Sequence, residues 1–185
     1  GGVLLHAALW SSFHSPASGA AAPWWWDTHI EPNNLYAHFA ALSTYAGSFD
    51  RRDRHFELLK ADVPGAGGQA LAVRGLLDAV GGSLWIYEKA LLEKPKTDSL
   101  PTVPEGTTLT LAGLVDGPFE VQFWDTRAGK VIDTVTIPSR EGRLTLKLPR
   151  FLGDIAVKLI PREPVRPGLV LPESPEESKP VPLKQ

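Results

Sequence analysis

Cysteine and methionine are both missing from the 185 residues. Without cysteine there is no disulfide framework and no thiolate chemistry, and the redox compartment stays unread. Methionine is lacking even at position 1, which reads as a chain that is processed or cut from something longer. A local absence says more. Residues 1–50 contain Asp27, Glu31 and Asp50 but no lysine or arginine, so all 19 cations lie further on. The same stretch holds four of the six tryptophans. It lacks the charge for a solvated surface of its own, and domains of roughly 40–60 residues bury too little area to stand alone. The expectation is a piece of a larger core whose remainder lies outside this sequence.

Other absences narrow the partners. Net charge is −2 and no basic cluster is present, so nucleic acid is not expected. The uncharged run 1–26 is broken by Ser11, Ser12, His14, Ser15, Pro16 and Ser18 and has no basic flank. That argues against a membrane span, and the lack of a positive n-region argues against a signal peptide, despite Ala20, Ala21 and Ala22.

The coarse reading is α+β. Apolar residues at 5, 9 and 13 predict a helix over residues 3–13, ended by Ser15-Pro16. A short strand is predicted over 19–26, a loop over 27–32, and a helix over 35–46 with Leu35, Phe39 and Leu42 inward. After the Arg51-Arg52-Asp53-Arg54 cluster, alternation predicts strands at 56–60, 69–74, 83–89, 107–111, 119–124, 131–137, 144–148 and 155–160, with a Pro-containing loop over 93–106. Many short strands with Gly-rich turns are the pattern of an antiparallel β-sandwich. Seven prolines from Pro161 onward leave a tail too poor in large apolar residues to fold.

Trp24-Trp25-Trp26-Asp27 is the densest motif. In a strand, Trp24 and Trp26 share one face and Trp25 takes the other, while Asp27 opens the loop. The run reads either as three core indoles or as a stacking surface beside an acid. Elsewhere the chemistry is thin. The five histidines lack metal-ligand spacing, and His6 and His38 read as structural. Gly65-Ala66-Gly67-Gly68 is not followed by the Lys-Ser/Thr of a phosphate loop. Asp27 and Glu31 lie in one loop, whereas glycoside hydrolysis wants two carboxylates across a sugar.

The runs His6-Ala7-Ala8-Leu9-Trp10-Ser11-Ser12 and Ser18-Gly19-Ala20-Ala21-Ala22-Pro23-Trp24-Trp25-Trp26-Asp27, with Ile30 and Pro32-Asn33-Asn34-Leu35-Tyr36, resemble the last βα unit of clan-A-type (β/α)8 glycoside hydrolases. The likeness is to the cellulase- and mannanase-like group with a WWWD-x-x-I-x-P-x-N-L signature; Pro23 departs from the larger apolar residue usual there. Tyr87, Phe119-Glu120-Val121-Gln122-Phe123-Trp124-Asp125-Thr126, Gly129-Lys130-Val131-Ile132 and Asp154-Ile155-Ala156-Val157-Lys158 resemble the β-sandwich that follows such barrels, a type named as the collagen-binding domain of a collagenase. The resemblance covers about residues 1–161 and implies helix seven, strand eight and helix eight of a TIM barrel in 1–50 and a β-sandwich in 51–161; residues 162–185 are the proline-rich tail, expected from its composition to be disordered. Barrel active sites lie at the C-terminal strand ends. Trp24, Trp25, Trp26, Asp27, His29 and Glu31 are thereby implied to bind substrate. The catalytic glutamates belong to strands four and seven, before Gly1, so no catalytic residue is expected in this chain and the chain alone is expected to be inactive.

No metal and no cofactor is expected. The implied partners are a polysaccharide or oligosaccharide and the barrel's remainder, and the implied location is secreted or periplasmic. Two other readings of the sandwich stay open: a non-catalytic carbohydrate- or matrix-binding module acting through Trp85, Tyr87 and Trp124, or a brace against the barrel's side.

Overall fold

A computed structural model describes residues 2–17, 19–21, 24–93, 95 and 99–162. Helix α1 (Val3–Phe13) is apolar on most sides and buries Leu5, Leu9, Trp10 and Phe13. A π-helical turn (Trp26–Ile30) and helix α2 (Tyr36–Gly47) follow. The strands are β1 (Glu57–Pro64), β2 (Ala70–Asp78) and β3 (Gly81–Glu88), then a short helix α3 (Ala90–Glu93). Next come β4 (Thr102–Val103), β5 (Thr108–Ala112), β6 (Gly117–Asp125), β7 (Lys130–Ser139), β8 (Arg143–Lys147), β9 (Phe151–Leu152) and β10 (Asp154–Pro161).

Six of them form one antiparallel sheet in the order β1-β2-β3-β10-β6-β7. Strands β5 and β8 pair separately, as do β4 and β9. The two-residue side-chain period divides the large sheet into two apolar faces. Leu84, Ile86, Val121, Phe123, Ile155 and Val157 share one core with Leu109, Leu111, Leu144, Leu146 and Phe151 of the smaller pairs, compatible with a β-sandwich. Ala72, Trp85, Tyr87, Trp124 and Ala156 form a second core with Leu9, Trp10, Leu42 and Tyr45 of the helices. Every residue of β3 is therefore buried, as expected of a strand covered on both sides.

Most expected strands lie within a few residues of the observed ones. β1 and β2 run on to Pro64 and Asp78, beyond the expected ends at 60 and 74. The expected loop over 93–106 contains β4, whose two residues pair with β9. The hairpin around Ala128-Gly129 is present, with Gly129 at φ 62°. A β-carbon there would stand 2.7 Å from the Ala41 Cα, so glycine lets this turn lie against α2.

Two expectations change. Residues 19–26 contain no described strand; Trp26 instead begins the π-helical turn. A strand needs neighbours for its backbone groups, whereas the Trp25 and Trp26 carbonyls accept bonds from amides four and five residues further on. The amides of His29 and Ile30 donate to the Trp25 carbonyl, and that of Glu31 donates to Trp26. The second change concerns residues 1–50, expected to lack a sheet to cover. Their helices cover the outer face of the six-stranded sheet and share its core. The proline-rich tail from residue 163 onward lies outside the described residues.

Candidate functional site

The six residues expected to bind substrate all lie on the exposed segment around the π-helical turn. Trp24, Trp25 and Trp26 are 87%, 64% and 63% exposed, so none is a core indole. Without a strand, the expected division of Trp24 and Trp26 from Trp25 does not apply. Asp27 and His29 are exposed too, and Asn33 Nδ2 donates to the His29 carbonyl at 2.7 Å. Glu31 accepts a short hydrogen bond from the Tyr36 hydroxyl, and that bond raises the phenol's pKa. Ile30 anchors the segment, buried beside Leu35 in the second core. The arrangement offers three broad apolar rings, two carboxylates and an imidazole to solvent on a turn pinned at one point. Indoles can stack on the flat apolar face of a ligand while carboxylates accept from its hydroxyls.

The sandwich aromatics behave differently. Trp85, Tyr87 and Trp124 are buried under the helices, with the Trp85 and Tyr87 rings stacked at 4.3 Å. As placed they cannot form the exposed platform that the binding-module reading required.

Between helices and sheet lies a polar layer missed by the motif search. Asp154 Oδ2 accepts from His6 Nε2 and from Trp85 Nε1, each at 2.7 Å, and Oδ1 accepts from Thr126 at 3.0 Å. Burial is the largest single influence on this carboxyl and opposes its ionisation. His6, Arg127 and Trp85 together outweigh it and hold the pKa below the usual value. The other nitrogen of the His6 ring, Nδ1, lies within hydrogen-bond distance of His38 Nδ1, 3.2 Å away. His6 and His38 are thus hydrogen-bonded structural residues, as expected.

His14 is buried just past the C-terminal end of α1. Its Nδ1 donates to the Trp10 carbonyl at 2.9 Å, so Nε2 must accept from Ser83 Oγ at 2.7 Å, which in turn meets the Tyr45 hydroxyl. Burial lowers the His14 pKa to about 3 and raises that of Tyr45. Two cations close the helix C-termini. Arg51 donates to the Phe13 carbonyl and lies 4.1 Å over the Phe13 ring. Lys158 donates to the Tyr45 carbonyl at 2.6 Å and to Ser48 Oγ, between the Tyr45 and Trp124 rings. Burial lowers its pKa to about 8. Last-turn carbonyls lack helical partners, and a cation there satisfies both the bond and the helix dipole.

One signal could have located this layer. Asp154, Ala156 and Lys158 alternate with Ile155, Val157 and Leu159. A strand that carries charge on one face and aliphatics on the other, while both are buried, needs polar partners opposite. The histidines and tyrosine of the first fifty residues supply them. Compared with family models, curated proteins and solved structures, the chain matches none of them.

Proposed function

We propose that this chain is the C-terminal portion of a polysaccharide-active glycoside hydrolase, in which the tryptophan segment contributes a sugar platform and the β-rich part acts as a brace. The finer fold assignment belongs to the same proposal: residues 1–50 as the C-terminal end of a (β/α)8 barrel, with the π-helical turn standing where strand eight was expected, and residues 51–161 as a β-sandwich. The observation that carries it is the exposure of Trp24, Trp25 and Trp26 beside Asp27, His29 and Glu31. Three adjacent indoles held in water are costly unless something flat and apolar covers them, and the pyranose ring has such faces.

The brace favours itself over the binding-module alternative on one further observation. Trp85, Tyr87 and Trp124 fill the helix–sheet core, so the sandwich spends its aromatic surface on holding the two helices.

Titration of the full chain with cello-, manno- and xylo-oligosaccharides, followed by tryptophan fluorescence, tests the platform. Alanine at one of the three positions should weaken binding by roughly 1–3 kcal/mol, the range for stacked aromatic platforms. The melting temperature should hardly move, since none of the three is buried. Wild-type affinity in all three variants would sink the platform. The chain should show no turnover of these sugars, because the acid/base and nucleophile glutamates of the proposed barrel precede Gly1.

A further inference from the structure

The six-stranded sheet ends in two edges, β1 and β7. β7 is guarded by devices that discourage a further strand. Asp133 Oδ1 accepts from the Thr134 amide at 2.8 Å, Pro138 has no N–H, and a bulge interrupts the ladder at Phe123 and Trp124. β1 is regular from Glu57 to Pro64. Its ladder shows which backbone groups are spare. The Gly65 amide donates to the Gln69 carbonyl at 2.7 Å, continuing the β1–β2 register as a hydrogen-bonded pair. Bonded and non-bonded pairs alternate. Val63, Ala61 and Leu59 therefore bond to β2, while the amides and carbonyls of Leu58, Lys60 and Asp62 point away from the sheet. The parity agrees on β2, where the Ala70 carbonyl, opposite Pro64, accepts from the Lys89 amide.

The side chains along this edge match their own reverse. Leu58, Lys60, Asp62 and Pro64 are exposed, whereas Leu59, Ala61 and Val63 are half-buried against the sandwich core. Laying β1 antiparallel to itself about Ala61 sets Lys60 opposite Asp62 on one face and Leu59 opposite Val63 on the other. Centring the pair on Lys60 or on Asp62 instead sets like charges opposite, which is unfavourable. The single chain also leaves a repulsion to relieve. Lys60 stands opposite Arg74 of β2 and has no ion-pair partner among the described residues. Asp62 meets Lys89 Nζ at 2.6 Å, and its carboxylate has room for a second donor.

We propose that β1 is a docking edge for a second copy of this chain, paired antiparallel across a two-fold axis at Ala61, so that the two sheets become one. The backbones of Lys60 and Asp62 exchange hydrogen bonds with those of Asp62 and Lys60 in the second copy. The Leu58 amide donates to the second copy's Pro64 carbonyl, so the amide that Pro64 lacks shortens only the ends of the ladder. The same patch serves both copies, as a two-fold interface requires. None of this depends on the sugar platform.

Sedimentation equilibrium of the full chain from micromolar to millimolar concentration, with hydrogen exchange, tests it. The wild type should dimerise, and the amides of Leu58, Lys60 and Asp62 should gain protection as concentration rises. Those of Leu59, Ala61 and Val63 should already be protected in the monomer. Lys60→Glu or Asp62→Lys alone should weaken the dimer about tenfold or more, because the two-fold turns one substitution into two like-charge pairs. Mixing the two variants should restore association, since an acidic edge then faces a basic one. Both positions are exposed, and thermal melts show that each variant is folded. A wild type that stays monomeric, or a dimer that neither substitution weakens, overturns the proposal. Variants that remain apart when mixed overturn the register. Association that survives both substitutions but not Trp24→Ala places the contact on the tryptophan segment instead.

Discussion

His14 should make the protein acid-labile in a defined window. Its imidazole is buried, and its pKa falls from 6.5 to about 3 because burial disfavours the charged ring. An unfolded chain takes up that proton below pH 6.5, while the folded chain refuses it until about pH 3. Across this interval the unfolded state therefore holds one more proton, and stability must fall as pH falls. The slope is about 1.4 kcal/mol per pH unit for a single group, and the whole interval amounts to roughly 4–5 kcal/mol. Above pH 6.5 the contribution is complete; below about 3 both states are protonated and no more is lost. The tautomer reinforces the sign. His14 Nδ1 is committed to the Trp10 carbonyl, so a second proton would lie on Nε2, facing the Ser83 hydroxyl that donates to it. The assay is urea unfolding of wild type and His14→Gln between pH 4 and 7.5, followed by tryptophan fluorescence. Carboxylates such as Asp154 contribute to both curves, so the difference in slope isolates His14. It should approach one proton over the acidic half of the range. Parallel curves would refute the reasoning and mean that His14 is protonated in the folded protein or reached by water.

Two further substitutions probe the join between helices and sheet. Asp154→Ala removes the acceptor shared by His6, Trp85 and Thr126 and should cost about 3–5 kcal/mol in chemical denaturation, the range for breaking a buried ion pair; a loss below 1 kcal/mol would show that the layer adds little. Gly129→Ala places a β-carbon 2.7 Å from the Ala41 Cα at a positive φ, so α2 and the β6–β7 turn must separate. Strain in the left-handed region alone costs about 1–2 kcal/mol, and an unchanged melting temperature would show that the turn does not touch the helix as described.

Much of the β-rich part was legible because alternation is a local signal. Phe119, Val121 and Phe123, or Leu144, Leu146 and Leu148, alternate with polar neighbours, and one face must be dry whatever lies opposite. The helices at Val3–Phe13 and Tyr36–Gly47 were legible for a similar reason, through apolar spacing and the Ser15-Pro16 stop. What covers each face is not a local property. Asp154 meets His6 across 148 positions of sequence, and Lys158 meets Tyr45 across 113. No spacing rule spans such separations, so the sequence alone left residues 1–50 without a sheet and Trp85 and Trp124 with a choice between core and surface. The tryptophan run shows the same division. Composition determined that three indoles stand beside an acid, but their conformation depended on whether a neighbouring strand was there to accept their backbone bonds. Among the described residues none is, Trp25 and Trp26 accept the bonds of a π-helical turn instead, and only tertiary structure could decide that the indoles face water.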